Sequence, residues 1–402
     1  MPLAAGLAAC ALTLCLVRSW RIDFPYSIDF QVYWLAGKRV AHGEGAALYA
    51  AGGGPAQGTP QAMAAHEFKN VPVVAWAFAP FASLPYLEAK RAFWWLSLVC
   101  LVAGGALAGV GLLPRGAGSG AERALTGAAL ALACDPAHVS LRHGQTTPLI
   151  LLLLTGAWVA ARRAAPRAEG ALLALAATVK IPVLALVALA SFRARWRTLL
   201  AFGLVSAAVV CASFLLFGPA LHGAYLRGLA EHAGTVMPGH NNQSVASVAQ
   251  RLLSDAPVND WTPRLRTPPV RWATTATTLL LGLAFCWGLL ARRRSPLDDG
   301  LDGAGALSFG LLALPVAWDH YFLLLVPAVV AVVAAFAARG LLSRPLVSTA
   351  LFLAVLAIFL PTPERLLQVG ESLGPAAGLL LSHQAMGASL LLLMSAAARR
   401  VP

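Results

Sequence analysis

A carboxylate heads an aromatic stretch, Asp29-Phe30-Gln31-Val32-Tyr33-Trp34, just after the first apolar run of the chain. Further polar groups interrupt hydrophobic sequence downstream: His143-Gly144-Gln145-Thr146-Thr147, Lys180-Ile181-Pro182, His240-Asn241-Asn242-Gln243-Ser244 with Arg251 beyond, and Trp318-Asp319-His320. Asp29 reads in two ways. It suits a helix N-cap, where a carboxylate meets the positive end of the dipole. It also suits a general base, taking a proton from an attacking hydroxyl. Asp23 competes for that role, and spacing does not choose between them. Lys180, followed by a proline in mid-run, either snorkels to an interface or meets an anionic headgroup at an opened backbone. His320 is either a solvated loop residue or an acid, base or phosphate donor near neutral pH. His143, Gln145, Asn242, Gln243 and Ser244 either cap helices or bind sugar hydroxyls. Asp135, before Pro136, is either an N-cap or a second acid.

These groups need a membrane frame. Of 402 residues, 58% are hydrophobic and 12% are charged, against about 25% charged in a soluble domain; mean hydropathy is +0.71. The chain therefore reads as all-α, a single polytopic membrane domain over residues 1–402. The +13 net charge does not indicate nucleic acid, because many basic residues sit in short clusters between apolar runs, as the positive-inside rule expects. The six cysteines form no CxxC pair, so neither a metal site nor a disulfide framework is indicated.

Residues 2–19 form a first span, preferred over a cleaved leader because no small-x-small exit follows. A first outer loop, 20–70, contains Asp23, Asp29 and the glycines Gly52–Gly54; its Phe30, Tyr33, Trp34 and Gly37 recur at helical spacing and predict an interfacial helix. Residues 71–86 are short and bounded by prolines, so they predict a half-helix or re-entrant segment. Residues 90–113 form a clear span. Further candidates are 124–139, 148–162, 198–217, 271–291, 303–317, 320–338, 345–360 and 376–397, while 170–191, broken at Lys180-Ile181-Pro182, predicts a broken helix or a re-entrant pair and not one plain span. The total expected is about 10–12 membrane helices. Arginines cluster between them, at Arg115 and Arg123, Arg162–Arg167, Arg193–Arg197, Arg292–Arg294, Arg339–Arg344 and Arg399–Arg400. Putting these inside sends every chemical-looking cluster, and the second long loop 218–270, to the outer side. The first span dissents locally through Arg18 and Arg21. No Walker loop, GxGxxG after a strand, HExxH or GxSxG occurs, so nucleotide-driven and zinc-hydrolase chemistry are unsupported.

The order Asp29-Phe30-x-Val32-Tyr33, Gly43 through Leu48-Tyr49, Phe78-Ala79-Pro80-Phe81-Ala82-Ser83-Leu84-Pro85, Gly144-Gln145, Lys180-Ile181-Pro182, Asn242-Gln243-Ser244 with Arg251, and Pro315-x-x-Trp318-Asp319-His320 resembles glycosyltransferase family 87 of the GT-C superfamily. The resemblance covers roughly residues 25–330. It implies transfer of mannose or arabinofuranose from a polyprenyl phosphate to a glycolipid or glycan, at a site facing away from the cytoplasm of a bacterial-type plasma membrane. It maps the catalytic aspartate onto Asp29 and a site histidine onto His320. Tyr321 stands where the family often has a second histidine, and Thr146 and Thr147 where it has an asparagine.

On this reading Lys180, His320 and Arg251 bind the donor phosphate and stabilise the leaving group, while Asp29 activates an acceptor hydroxyl and the anomeric centre inverts. Tyr33, His143, Gln145, Asn242, Gln243, Ser244, Trp318 and Asp319 line the substrate site. No cofactor is called for, and nothing in the pattern requires a metal. Broken helices and a mid-run lysine also suit a flippase of a lipid-linked sugar. Against it, no internal repeat is evident and the polar groups gather on one face. A third reading, an inactive homologue serving in assembly, is opposed by the presence of both Asp29 and His320.

Overall fold

The structure, a computed structural model, describes residues 2–19, 28–49, 68–232, 234–292, 295–362 and 375–401. Asp23, Arg21, Gly52–Gly54, Arg293 and Arg294 lie outside the described residues. The chain opens with α1 (Pro2–Ser19) and α2 (Ile28–Ala41), which is the predicted helix after the first span. The proline-bounded stretch folds as two short helices, α3 (Pro72–Ala77) and α4 (Ala79–Ala82), and leads into α5 (Tyr86–Leu112). The predicted span 124–139 is two helices, α6 (Gly120–Ala133) and α7 (Asp135–His143), which meet at 65°. Pro136 explains the break: its ring cannot continue the ladder of α6, but it fits the first turn of a new helix. α6 begins on a capping box in which Ser119 and Glu122 satisfy each other's backbone donors.

Next come α8 (Thr147–Arg162), α9 (Pro166–Val179), a 3-10 turn Ile181–Val183 and α10 (Leu184–Phe192). Lys180 is extended at the turn between α9 and α10, with φ −135° and ψ 108°, so the broken run is a helical hairpin. α11 (Trp196–His232) kinks at Gly218, before Pro219. The second long loop contributes β1 (Thr235–Val236), α12 (Val245–Leu253) and β2 (Arg264–Leu265), the two strands pairing antiparallel. The remainder is α13 (Pro268–Leu289), α14 (Pro296–Leu312), a 3-10 segment Asp319–Leu325 running into α15 (Val326–Ala338), α16 (Pro345–Phe359), α17 (Pro375–Leu380) and α18 (His383–Ala398).

Among the described residues, five helices are long and apolar enough to cross a membrane, or six with the bent α6–α7 pair. Four more apolar helices are shorter: Thr147–Arg162, Ile181–Phe192, Pro345–Phe359 and His383–Ala398. Against the expected 10–12 membrane helices, the described residues thus hold five or six of full length and four shorter apolar ones. α11 and α13 present leucines and aromatics outward, among them Leu215, Leu204, Leu283 and Trp272, as lipid-facing helices do. α15, by contrast, is buried nearly all round and forms the axis of the bundle. Small residues let neighbours close on one another: a Cβ at Gly109 of α5 would lie 1.8 Å from the Arg123 carbonyl oxygen of α6.

The two ends of the bundle differ. At one end Arg162 donates to the Leu112 carbonyl at the close of α5 (2.7 Å), and Arg123 donates to Val110 and Leu113. There too, Arg193 and Arg399 grip Asp302 at 2.5 and 2.8 Å, Arg339 and Arg399 grip Asp298, and Arg195 pairs with Glu169 at 2.5 Å. These are the predicted inter-span arginines. Their side chains bind helix ends and buried carboxylates as well as following a charge rule. The opposite end carries the candidate site.

Candidate active site

Aromatic packing fixes Asp29. It occupies the first turn of α2, beside Phe30, which is fully buried and stacks on Phe93 with centroids 5.0 Å apart. One turn on, Tyr33 stacks on Phe78 at 4.7 Å. This cluster of α2, α3, α4 and the start of α5 holds α2 rigidly. The close of α7 then meets it. Gly144 caps α7 in the left-handed conformation, φ +68°, and a Cβ there would lie 2.4 Å from that of Phe30. Only glycine allows this turn and this approach together. The His143-Gly144-Gln145 corner therefore abuts the residue next to Asp29.

From this corner the site is built inward. Gln145 is buried, and its Oε1 accepts a hydrogen bond from Lys180 Nζ at 3.2 Å. Lys180 is itself buried, and its ammonium sits over the ring of Tyr321 at 4.1 Å from the centroid. Tyr321 is the third residue of the 3-10 segment that opens with Asp319 and His320, and its ring meets that of His320 edge to face at 4.8 Å. The Asp319 carboxylate accepts from the His320 backbone at 2.7 Å and lies 3.4 Å from Nδ1. That contact favours a proton on Nδ1 and leaves Nε2 as the free nitrogen. Nε2 is buried and has no partner among the described residues. The Asp29 carboxylate is in coulombic reach of Tyr33, Lys180, His320 and Tyr321. Burial, and then the charge of Asp29, push the Tyr33 phenol up to about 12, so at neutral pH it stays an uncharged hydroxyl. His143 is half-buried and acts on Asp319 from across the site.

The remaining residues singled out in the sequence are engaged elsewhere. Asn242 forms a backbone bridge with Trp318. Its Oδ1 accepts from the Ala317 amide at 2.9 Å, and its Nδ2 donates to Met237 at 3.0 Å. Gln243 donates to the His240 and Leu381 carbonyls, both at 2.7 Å. Ser244 caps α12 and donates to Pro315. Arg251 is 3% exposed and donates to the carbonyls of Pro238, Gly239 and Asn242 and to the hydroxyls of Ser247 and Ser382. Asn242 and Ser244 staple the second long loop to the segment leading to Trp318, Asp319 and His320, and Gln243 and Arg251 tie it to Leu381 and Ser382. Asp135 pairs with Arg18 of α1 at 2.7 Å. His240, half-buried in the loop, has its pKa lowered chiefly by that burial.

Residue type alone does not mark Tyr321 as a site residue; its adjacency to His320 is the available signal. A carboxylate, a buried ammonium and an imidazole with one free nitrogen converge from three distant parts of a polytopic helical membrane protein. The chain matches the model of glycosyltransferase family 87 over residues 68–315. It belongs to that family and is a membrane glycosyltransferase. The matched stretch includes Gln145, Lys180 and Arg251, while Asp29 and His320 lie to either side of it. No curated protein and no solved structure matches the chain.

Proposed function

We propose that this glycosyltransferase takes mannose or arabinofuranose from a polyprenyl phosphate and delivers it to a hydroxyl of a glycolipid or glycan, on the extracytoplasmic side of the membrane. The observation that carries the proposal is the convergence of Asp29, Lys180 and His320 around one site. Two features support a lipid-borne donor and an outward site. α8 and α9 link the arginine end to the site, and at 16 and 14 residues they rise about 24 and 21 Å. Both fall short of a hydrocarbon core of about 30 Å, which suits a site recessed within the membrane and reached from lipid. The arginine-rich end, opposite the site, suits a cytoplasmic face.

In the proposed reaction Asp29 takes the proton from the acceptor hydroxyl as that oxygen attacks the anomeric carbon. The bond from the anomeric carbon to the phosphate oxygen breaks, and polyprenyl phosphate leaves with the electron pair. Direct displacement inverts the anomeric centre. Lys180, held by Gln145, and His320, through Nε2, face the negative charge gathering on the phosphate; such preorganised electrostatics is usually the largest catalytic contribution. Tyr33, His143, Trp318 and Asp319 complete the rim. Asn242, Gln243, Ser244 and Arg251 enter as positioning residues, because their polar groups are already bound within the fold.

The test is transfer from radiolabelled polyprenyl-phosphate mannose and arabinofuranose by purified protein in nanodiscs, beside sealed vesicles containing the same protein. Label moving onto a lipid or glycan acceptor supports the proposal and names the sugar. Label crossing the vesicle bilayer with no transfer overturns it in favour of a flippase.

A further inference from the structure

Among the described residues the groups in direct contact with the buried Lys180 ammonium carry no formal charge, and the Asp29 carboxylate acts on it only from further off. One contact is the amide oxygen of Gln145 at 3.2 Å, and the other is the ring face of Tyr321 at 4.1 Å. A carboxylate in either place would neutralise the ammonium and compete with an incoming anion. An amide dipole and an aromatic quadrupole steady it and leave its charge available. The Lys180 backbone is held between two helices, its amide donating to Ala176 at 2.9 Å, but the four-carbon stem beyond it is flexible, so its contacts seat the ammonium. Tyr321, by contrast, is rigidly set: its amide donates to Trp318 at 2.8 Å, and its ring meets that of His320. Trp318 in turn is bridged to Asn242.

We infer that Tyr321 is a positioning residue whose ring face seats the Lys180 ammonium beside the free nitrogen of His320, so that the two form one receptor for the lipid-borne phosphate, a diester in the sugar donor and a monoester in the polyprenyl phosphate that leaves. The inference rests on the proposed donor class for its ligand, but the seating of Lys180 is a separate claim. The 3-10 segment makes it possible. With about three residues per turn, consecutive residues point about a third of a turn apart, and His320 and Tyr321 can each present a different surface to the same site. The ring contributes through its face rather than its hydroxyl, so phenylalanine should replace tyrosine and an aliphatic residue should not. Gln145 supplies the second, independent hold, and its isosteric acid should cancel the charge that the ring preserves.

The experiment uses the full chain in nanodiscs with farnesyl phosphate as probe, followed by tryptophan fluorescence, and competitive acetylation of Lys180 read by mass spectrometry. Tyr321→Phe should bind within about twofold of the parent, and Tyr321→Leu roughly tenfold more weakly, the loss of a desolvated cation–π contact. Gln145→Glu should also bind more weakly, although its side chain fills the same space. Lys180 should be acetylated several-fold faster in Tyr321→Leu than in Tyr321→Phe, because removing the ring frees the amine. Equal acetylation in the two Tyr321 variants, or Phe as weak as Leu in binding, overturns the seating. If the parent does not bind farnesyl phosphate while acetylation still follows the ring, the seating stands and the polyprenyl-phosphate reading falls.

Discussion

Replacing Arg251 with methionine separates a substrate ligand from a structural staple. The guanidinium makes five hydrogen bonds inside the fold, and the consequence of their loss can be followed partner by partner. Gly239 keeps the Asn242 amide as a donor to its carbonyl. The Ser247 and Ser382 hydroxyls still donate to Met237 and Gly378. The carbonyls of Pro238 and Asn242 lose the donor that Arg251 supplied. Two buried acceptors left short cost about 1–3 kcal/mol each, so the expected loss is about 2–6 kcal/mol, and methionine recovers little of it by packing. The assay is thermal or denaturant unfolding in detergent, paired with limited proteolysis of the 234–262 loop. Arg251→Met should unfold at clearly lower temperature and expose that loop. A variant with parental stability, intact loop and weakened donor binding would refute this argument and restore Arg251 to the substrate.

Asp302→Asn removes the carboxylate shared by Arg193 and Arg399; breaking a buried ion-pair network in this way should destabilise the protein by about 3 kcal/mol. Farnesyl phosphate affinity of the folded variant should be unchanged, because the pair lies at the far end of the bundle. Gly144→Ala must fit a side chain at φ +68° and 2.4 Å from the Phe30 Cβ. The strain is worth about 1–2 kcal/mol, and the clash adds to it, so α2 should shift relative to α7. Turnover should fall roughly 10–100-fold as Asp29 moves off line, while stability falls only partly; unchanged turnover would count against α7 positioning Asp29.

Composition and periodicity made the class of fold legible, because membrane helices must satisfy their backbone internally and so leave long apolar runs. The helix after the first span followed from Phe30, Tyr33, Trp34 and Gly37 at helical spacing, and α2 spans them. The break at Lys180 was visible from Pro182, which left a broken helix and a re-entrant pair open; the structure has the second, a hairpin with the lysine at its tip. Pro136 likewise hid the 65° bend between α6 and α7 inside one apolar run. Candidate site residues were found by type, and here local pattern reached its limit. Asn242, Gln243, Ser244 and Arg251 look like sugar or phosphate ligands in sequence, yet their hydrogen bonds run to carbonyls, amides and hydroxyls 71 to 142 residues away as well as nearby. Such long-range partners leave no local signature. Tyr321 is marked in the sequence only by its place beside His320; its contact with Lys180 joins two distant segments and has no local signature.

The most direct test of the central claim is turnover of Asp29→Asn in nanodiscs with the polyprenyl-phosphate sugar that the parent protein uses, measured beside donor binding. Asparagine keeps the shape and helix-capping capacity of aspartate and cannot accept the proton. The account predicts a loss of about 10²–10⁴-fold in turnover, with donor binding retained or tightened as a negative charge leaves the phosphate site. Turnover within a few-fold of the parent would contradict it, and the base would then have to be sought elsewhere.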